Sequence, residues 1–140
     1  MTFLERLAGS WRAEETLHPS PWNPAGGRAE ATLVARLAMG KKALVLEHRR
    51  EDYDGLGVML LKGEHYELWW FDALEPPGPA TGRGLGDRLV LEREAPVVGR
   101  ARYTYVFAGD REFTFRIERS KDGKEWRSFL DARYLRLPSP

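Results

Sequence analysis

Apolar and polar side chains alternate with a period of two along much of this chain, and that pattern dictates β-strands. From residue 29 to 39 the odd positions read Ala29, Ala31, Leu33, Ala35, Leu37 and Met39, while Arg28, Glu30, Thr32 and Arg36 occupy even ones. Successive side chains of an extended backbone point to opposite faces, so one face of this segment is dry and the other wet. The alternation returns in Ala101, Tyr103, Tyr105 and Phe107 against Arg100, Arg102 and Thr104. It returns again in Phe113, Phe115 and Ile117 against Glu112, Thr114, Arg116 and Glu118. Between such runs stand Gly40-Lys41, Asp54-Gly55, Gly63-Glu64, Gly86-Asp87, Gly109-Asp110 and Asp122-Gly123. Each supplies a residue able to take positive φ in a tight turn. The reading is a meander of about ten antiparallel strands.

An open meander leaves two unpaired edges, and closure on itself removes both. An all-β, up-and-down barrel is therefore expected, with a two-sheet sandwich as its competitor. A length of 140 residues suits one domain, residues 1–140, with one core. Only the start departs from the strand pattern. Thr2 and Glu5 suit a capping box, Phe3, Leu4 and Leu7 share a helical face, and Gly9 can end the element. A helix this short must dock on the barrel to persist. Two connections are long: residues 18–27, which contain Trp22 among prolines and glycines, and residues 73–86, also rich in Pro and Gly. Both read as irregular loops, the kind that form lids or binding loops.

Charge and composition narrow the function classes. Lys and Arg number 22 against 21 Asp and Glu, a net charge of +1, which gives no general field for nucleic acid or an anionic membrane. Cys is absent, so disulfides, thiolate chemistry and cysteine-held metals are excluded. The segment Met1-Thr2-Phe3-Leu4-Glu5-Arg6 shows no signal-peptide pattern, and the apolar run from Val58 to Leu61 is too short to span a bilayer. A cytoplasmic protein is expected. Gln is absent, Asn23 is the single Asn, and Arg far outnumbers Lys, a composition that suits a thermophilic source.

Gly9-Ser10-Trp11, after a short helix and opening the first strand, resembles the Gly-x-Trp signature of the lipocalins and related calycins. The stretch from Gly9 through Glu15, His18-Pro19-Ser20-Pro21-Trp22, Tyr103-Thr104-Tyr105 and Ser120-Lys121-Asp122-Gly123 resemble an uncharacterised bacterial domain-of-unknown-function family with a lipocalin-like barrel. That family is distantly similar to nitrobindin and the fatty-acid-binding barrels. The resemblance implies Trp11 near a closed end, with Arg133 or Arg136 of the last strand packed on it by a cation–π contact. It implies no settled activity. Nitrobindin-type barrels hold haem through a His in the C-terminal part of the chain. The last His here is His65, so haem is disfavoured and no cofactor is expected.

Candidate site residues follow from strand parity. Trp11, Ala13, Glu15 and Leu17 share one face, and Glu15 there is either near the open end or in need of a buried partner. His48 shares parity with Leu44 and Leu46, with Arg50 beyond it; it is either a ligand-orienting group or base, or a satisfied rim histidine. His18 would line the mouth or pack before Pro19. Trp22 would be a lid or a loop anchor. Small inward residues, Ala29, Ala31, Ala35, Ala101 and Ala132, would leave room for a cavity, with Trp70, Tyr103 and Tyr105 as further ligand-binding candidates, unless Trp and Tyr from facing strands fill it completely. Three scattered His give no metal-site spacing, and neither Gly-x-Ser-x-Gly nor His-Glu-x-x-His is present. Trp69-Trp70-Phe71 and Val58-Met59-Leu60-Leu61 are apolar on both faces, which suggests a covered outer wall and a homodimer. The expected function is binding of a small hydrophobic or amphipathic molecule inside the barrel. The alternatives are an enzyme using the same cavity, or a filled-core interaction protein.

Overall fold

A computed structural model describes residues 1–20, 23–95 and 99–138. It opens with helix α1 (Phe3–Leu7) and continues through β1 (Gly9–Leu17), β2 (Gly27–Ala38), β3 (Ala43–Arg50), β4 (Tyr53–Lys62) and β5 (His65–Phe71). It ends with β6 (Pro79–Leu85), β7 (Arg88–Ala95), β8 (Gly99–Phe107), β9 (Glu112–Ser120) and β10 (Arg127–Arg136). Among the described residues these ten strands form one closed antiparallel barrel in which each strand pairs with its sequence neighbours and β1 pairs with β10. The barrel, not the sandwich, is the arrangement adopted. No described helix is long and apolar enough to cross a membrane.

The two ends of the barrel differ because α1 plugs one of them. Thr2 caps the helix by accepting from the Glu5 amide at 3.2 Å, and the Glu5 carboxylate accepts from the Thr2 amide at 3.3 Å. That box holds Phe3, Leu4 and Leu7 inward, where all three are buried. Trp11 seals the plug. Its indole donates to the Leu7 carbonyl at 2.8 Å and its ring meets Phe113 edge-on at 4.7 Å. Arg136 then covers the other face of Trp11 at 4.2 Å and donates to the carbonyls of Ala8 at 2.7 Å, Arg6 at 3.0 Å and Asp110 at 2.7 Å. Arg136, not Arg133, is the basic partner; Arg133 points outward to Glu112. Gly9 suits this closure because its backbone takes φ +133°, a conformation that L side chains rarely adopt.

Three expectations need correction. Asp54-Gly55 is no turn but lies inside β4, and residues 51–52 turn instead. Gly55 is there because the Trp70 indole lies flat on the inner wall, where a Cβ at Gly55 would come within 2.2 Å of it and one at Gly57 within 2.6 Å. Residues 73–86 are not one loop, because β6 occupies Pro79–Leu85. Its glycines mark tight approach rather than irregularity: a Cβ on Gly82 would meet the Val90 carbonyl at 1.8 Å, and one on Gly84 the Phe3 ring at 2.1 Å. Met39 is not part of the inward row. β2 stops at Ala38, and Met39 turns outward at φ +52°.

Candidate functional site

The half of the barrel away from α1 holds an internal cavity of about 140 Å3. Leu33, Leu46, Leu68, Trp70, Tyr105 and Phe113 supply much of its wall. The connections at this mouth are the β1–β2, β3–β4, β5–β6, β7–β8 and β9–β10 segments, by the alternation of strand direction.

Glu15 sits on the inward face of β1 and is only 3% exposed. An ionised carboxylate so placed is untenable without partners. Its partners come from β3, one strand beyond β2. The His48 Nε2 donates to one carboxylate oxygen at 2.8 Å, and the Arg50 Nη1 donates to the other at 2.8 Å. Small residues on the strand between make the crossing feasible: Ala29 is in register with Glu15, and Ala31 is in register with both Ala13 and Arg50. The inward alanines of β2 thus leave room for a polar cluster. Ala29, Ala31, Ala35, Ala101 and Ala132, expected to make the cavity, do not line it. Arg50 is itself held by Asp52 at 2.9 Å and lies 4.9 Å from the Tyr53 ring centroid.

Burial works against the Glu15 charge, but the hydrogen bonds and charges of His48 and Arg50 outweigh it and hold the carboxyl below its ordinary value. The ionised carboxylate is acceptor-only, so the His48 Nε2 must carry the proton of that bond. The other ring nitrogen, Nδ1, is buried with no hydrogen-bond partner among the described residues. His48 is 6% exposed and belongs to the cavity wall. In the neutral imidazole that nitrogen offers an unused lone pair.

Next along the wall, the Trp70 indole donates to the Tyr53 hydroxyl at 2.7 Å, and Tyr53 donates to Asp72 at 2.5 Å. Burial first, then Asp72, pushes the Tyr53 phenol upward, so it stays protonated as that donor. The second Asp72 oxygen accepts from the amides of Leu74 at 2.9 Å and Glu75 at 3.2 Å. Asp72 therefore fixes the start of the 72–78 segment, which crosses the mouth.

The opposite wall fixes its far side. Glu75 pairs with Arg119 at 2.6 Å. The Pro76 carbonyl accepts from Arg93 Nη2 at 3.1 Å, and the Glu94 carbonyl accepts from Arg93 Nε at 3.2 Å. Arg93 is 8% exposed. Tyr103 stands near both guanidiniums: burial pushes its phenol up, against the pull of Arg119 and Arg93.

The cavity brings together five of the eight residues anticipated from sequence: Glu15, His48, Trp70, Tyr103 and Tyr105. Trp11 is not at the mouth; it is fully buried in the plug at the closed end. His18 turns away from the cavity and pairs with Asp131 at 2.7 Å on the outer wall, because its backbone is past the end of β1. Trp22 lies outside the described residues. Reading the sequence missed Tyr53, Asp72, Glu75, Arg93 and Arg119. Parity was the available signal for the two arginines: Arg93 continues the row of Leu89 and Leu91, and Arg119 continues Phe113, Phe115 and Ile117. Glu75 carried no such signal, since its placement depends on a loop.

The remaining charged rows face out. Arg102 bonds Glu118 at 3.1 Å, Arg116 bonds Asp131 at 2.7 Å and Arg133 bonds Glu112 at 2.9 Å. Arg116, Glu118, Asp131 and Arg133 border an open depression of about 970 Å3 on the outer wall. Of the charged side chains that line it, Arg116 and Asp131 pair with each other. Among the described residues no group of three His, Asp or Glu is placed to hold a metal ion.

No protein-family model matches this chain. No curated protein matches it either. Among solved structures it is similar to Rv2717c from M. tuberculosis, with a TM-score of 0.73 and 18% identity over 97% of this chain and 96% of that one. It is also similar to a protein of unknown function of the DUF3598 family from Nostoc punctiforme, with a TM-score of 0.53 and 16% identity. That match covers 96% of this chain and 49% of the other, so the chain spans about half of that protein's length. At these identities the likeness is one of fold.

Proposed function

We propose that the chain is a lipocalin-like binding barrel that takes one small hydrophobic or amphipathic molecule into its mouth-side cavity, beneath the 72–78 segment. The observation that carries this is an apolar, aromatic-lined space of about 140 Å3 bordered by a buried ring nitrogen with no partner among the described residues, the His48 Nδ1. Buried polar atoms ordinarily have partners. A guest bearing a hydroxyl, which can both donate and accept, would supply this one, while its apolar part replaces empty volume. A space of this size suits a group of roughly the dimensions of benzene.

Native mass spectrometry of gently purified protein tests the reading. A reproducible extra mass that leaves under mild activation supports it. A clean apo mass, together with no change in tryptophan emission on adding indole or phenol as probes, overturns it.

The Glu15–His48 geometry favours a second reading. A carboxylate that fixes the tautomer and orientation of an imidazole is the arrangement of a general base, with Nδ1 as the nitrogen that takes the proton. This reading predicts that a bound carbon acid exchanges its acidic hydrogen for deuterium in D2O, followed by NMR. Exchange at the rate of free solution rejects it.

A further inference from the structure

Arg93 presents an unusual electrostatic situation. Its guanidinium is buried, yet it donates to neutral partners, the backbone carbonyls of Pro76 and Glu94 and the phenol oxygen of Tyr103. Among the described residues no carboxylate stands within salt-bridge distance of it. The other buried charges of the cavity are matched: Glu15 with Arg50, and Glu75 with Arg119. Asp72 is committed to Tyr53 and to two amides. A buried cation without a counter-ion is costly, and carbonyl dipoles compensate it only in part. Arginine carries five N–H donors in a fixed fork, so these three bonds leave donors to spare.

The strand register adds a geometric argument. Arg93 is in register with Ala101, and Ala101 is in register with Arg119. The row therefore reads Arg, Ala, Arg across β7, β8 and β9, with all three side chains directed into the barrel. The strands lie about 4.8 Å apart, so the two arginines rise from backbones roughly 10 Å apart with only a methyl group between them. Tyr103, two residues on, faces the same space, and all three polar residues border the cavity. Two guanidiniums on the cavity wall, with the Tyr103 phenol beside them, form a cradle for a planar anion.

We propose that Arg93, Arg119 and Tyr103 form the anion subsite of the cavity, and that its ligand is a compact monocarboxylic acid. The carboxylate sits beside Tyr103, facing Arg93 and Arg119, and takes the spare donors of Arg93. The apolar body lies toward Tyr105, Phe115 and Trp70. One negative charge balances Arg93; a dianion would exceed the charge left uncompensated. The cavity volume sets the size, an aryl or short branched acid rather than a long chain. This assignment rests on the cavity-binding reading and specifies the charge of the guest.

The test compares benzoate with benzamide, its neutral isostere, by isothermal titration calorimetry on the full chain. Wild type is expected to bind benzoate at least about tenfold more tightly, the worth of hydrogen bonds to a charged group. Arg93→Gln is expected to erase that preference by weakening benzoate and leaving benzamide unchanged, and Arg119→Gln to reduce it. Equal affinity of wild type for the two compounds overturns the anion subsite and leaves the cavity reading intact. So does a folded Arg93→Gln variant that keeps the preference. Binding of neither compound overturns the cavity reading and the subsite with it. The wild-type ratio decides the matter even where a variant fails to fold.

Discussion

Replacing Glu15 by Gln probes the buried cluster most directly. The side chain keeps its shape and loses its charge. Both of its oxygens are occupied, by the His48 Nε2 and the Arg50 Nη1, each at 2.8 Å. Removing one partner of a buried ion pair costs about 3–5 kcal/mol. Two features place this case at the low end. Gln retains one acceptor oxygen, and Arg50 keeps Asp52 at 2.9 Å. The expected loss is about 3 kcal/mol, which for a chain of this length lowers Tm by about 10 °C. Guanidinium chloride unfolding at pH 7, followed by tryptophan fluorescence, measures it. The neighbouring Glu14→Gln faces solvent and is expected to stay within about 0.5 kcal/mol of wild type. Acid gives a second check. Glu15 is held below its ordinary carboxylate value of 4.5 in the folded protein. Its stabilisation is therefore complete above the unfolded-state pKa and is lost as pH falls through the folded value. The gap between wild type and Glu15→Gln should narrow across that window as wild type takes up the proton. A loss at pH 7 no larger than that of Glu14→Gln, or a gap that does not change with pH, refutes the reasoning.

Other positions give sharp expectations. Arg136→Ala removes the cation over Trp11 and three carbonyl bonds, and should cost about 2–3 kcal/mol by thermal unfolding, with Arg136→Lys recovering only part of it. Gly57→Ala places a methyl group 2.6 Å from the Trp70 ring; overpacking of about 1–3 kcal/mol and a shifted tryptophan emission spectrum are expected, and an unperturbed spectrum with full stability contradicts the placement of Trp70. Leu56 and Phe71 are register partners on the outer wall, 44% and 41% exposed, beside Val58 and Trp69. We expect two copies to pair through this strip and Phe71→Glu to separate them, as read by light scattering during size exclusion; a wild type that stays monomeric at every concentration rejects the pairing.

What the sequence determined by itself was the local chemistry. Period-two patterning set the strands and their inward rows, because adjacent side chains of an extended backbone must point to opposite faces. Thr2 and Glu5 set the helix start, and the closing turn at Gly123 was equally plain, since caps and turns are satisfied by residues a few positions away. Parity carried Glu15 and His48 into the barrel, and the same signal, unread, was present for Arg93 and Arg119. What the tertiary structure decided was everything that depends on which rows face each other. Gly55 read as a turn because its partner, the Trp70 ring, is distant in sequence. Gly82 and Gly84 read as loop because the Val90 carbonyl and the Phe3 ring that demand them come from other elements. The joining of Glu15 to His48 and Arg50 across the alanines of β2, and the Arg93–Ala101–Arg119 row, are set by strand register. Register is fixed only when the whole barrel closes, and no short stretch of sequence contains it.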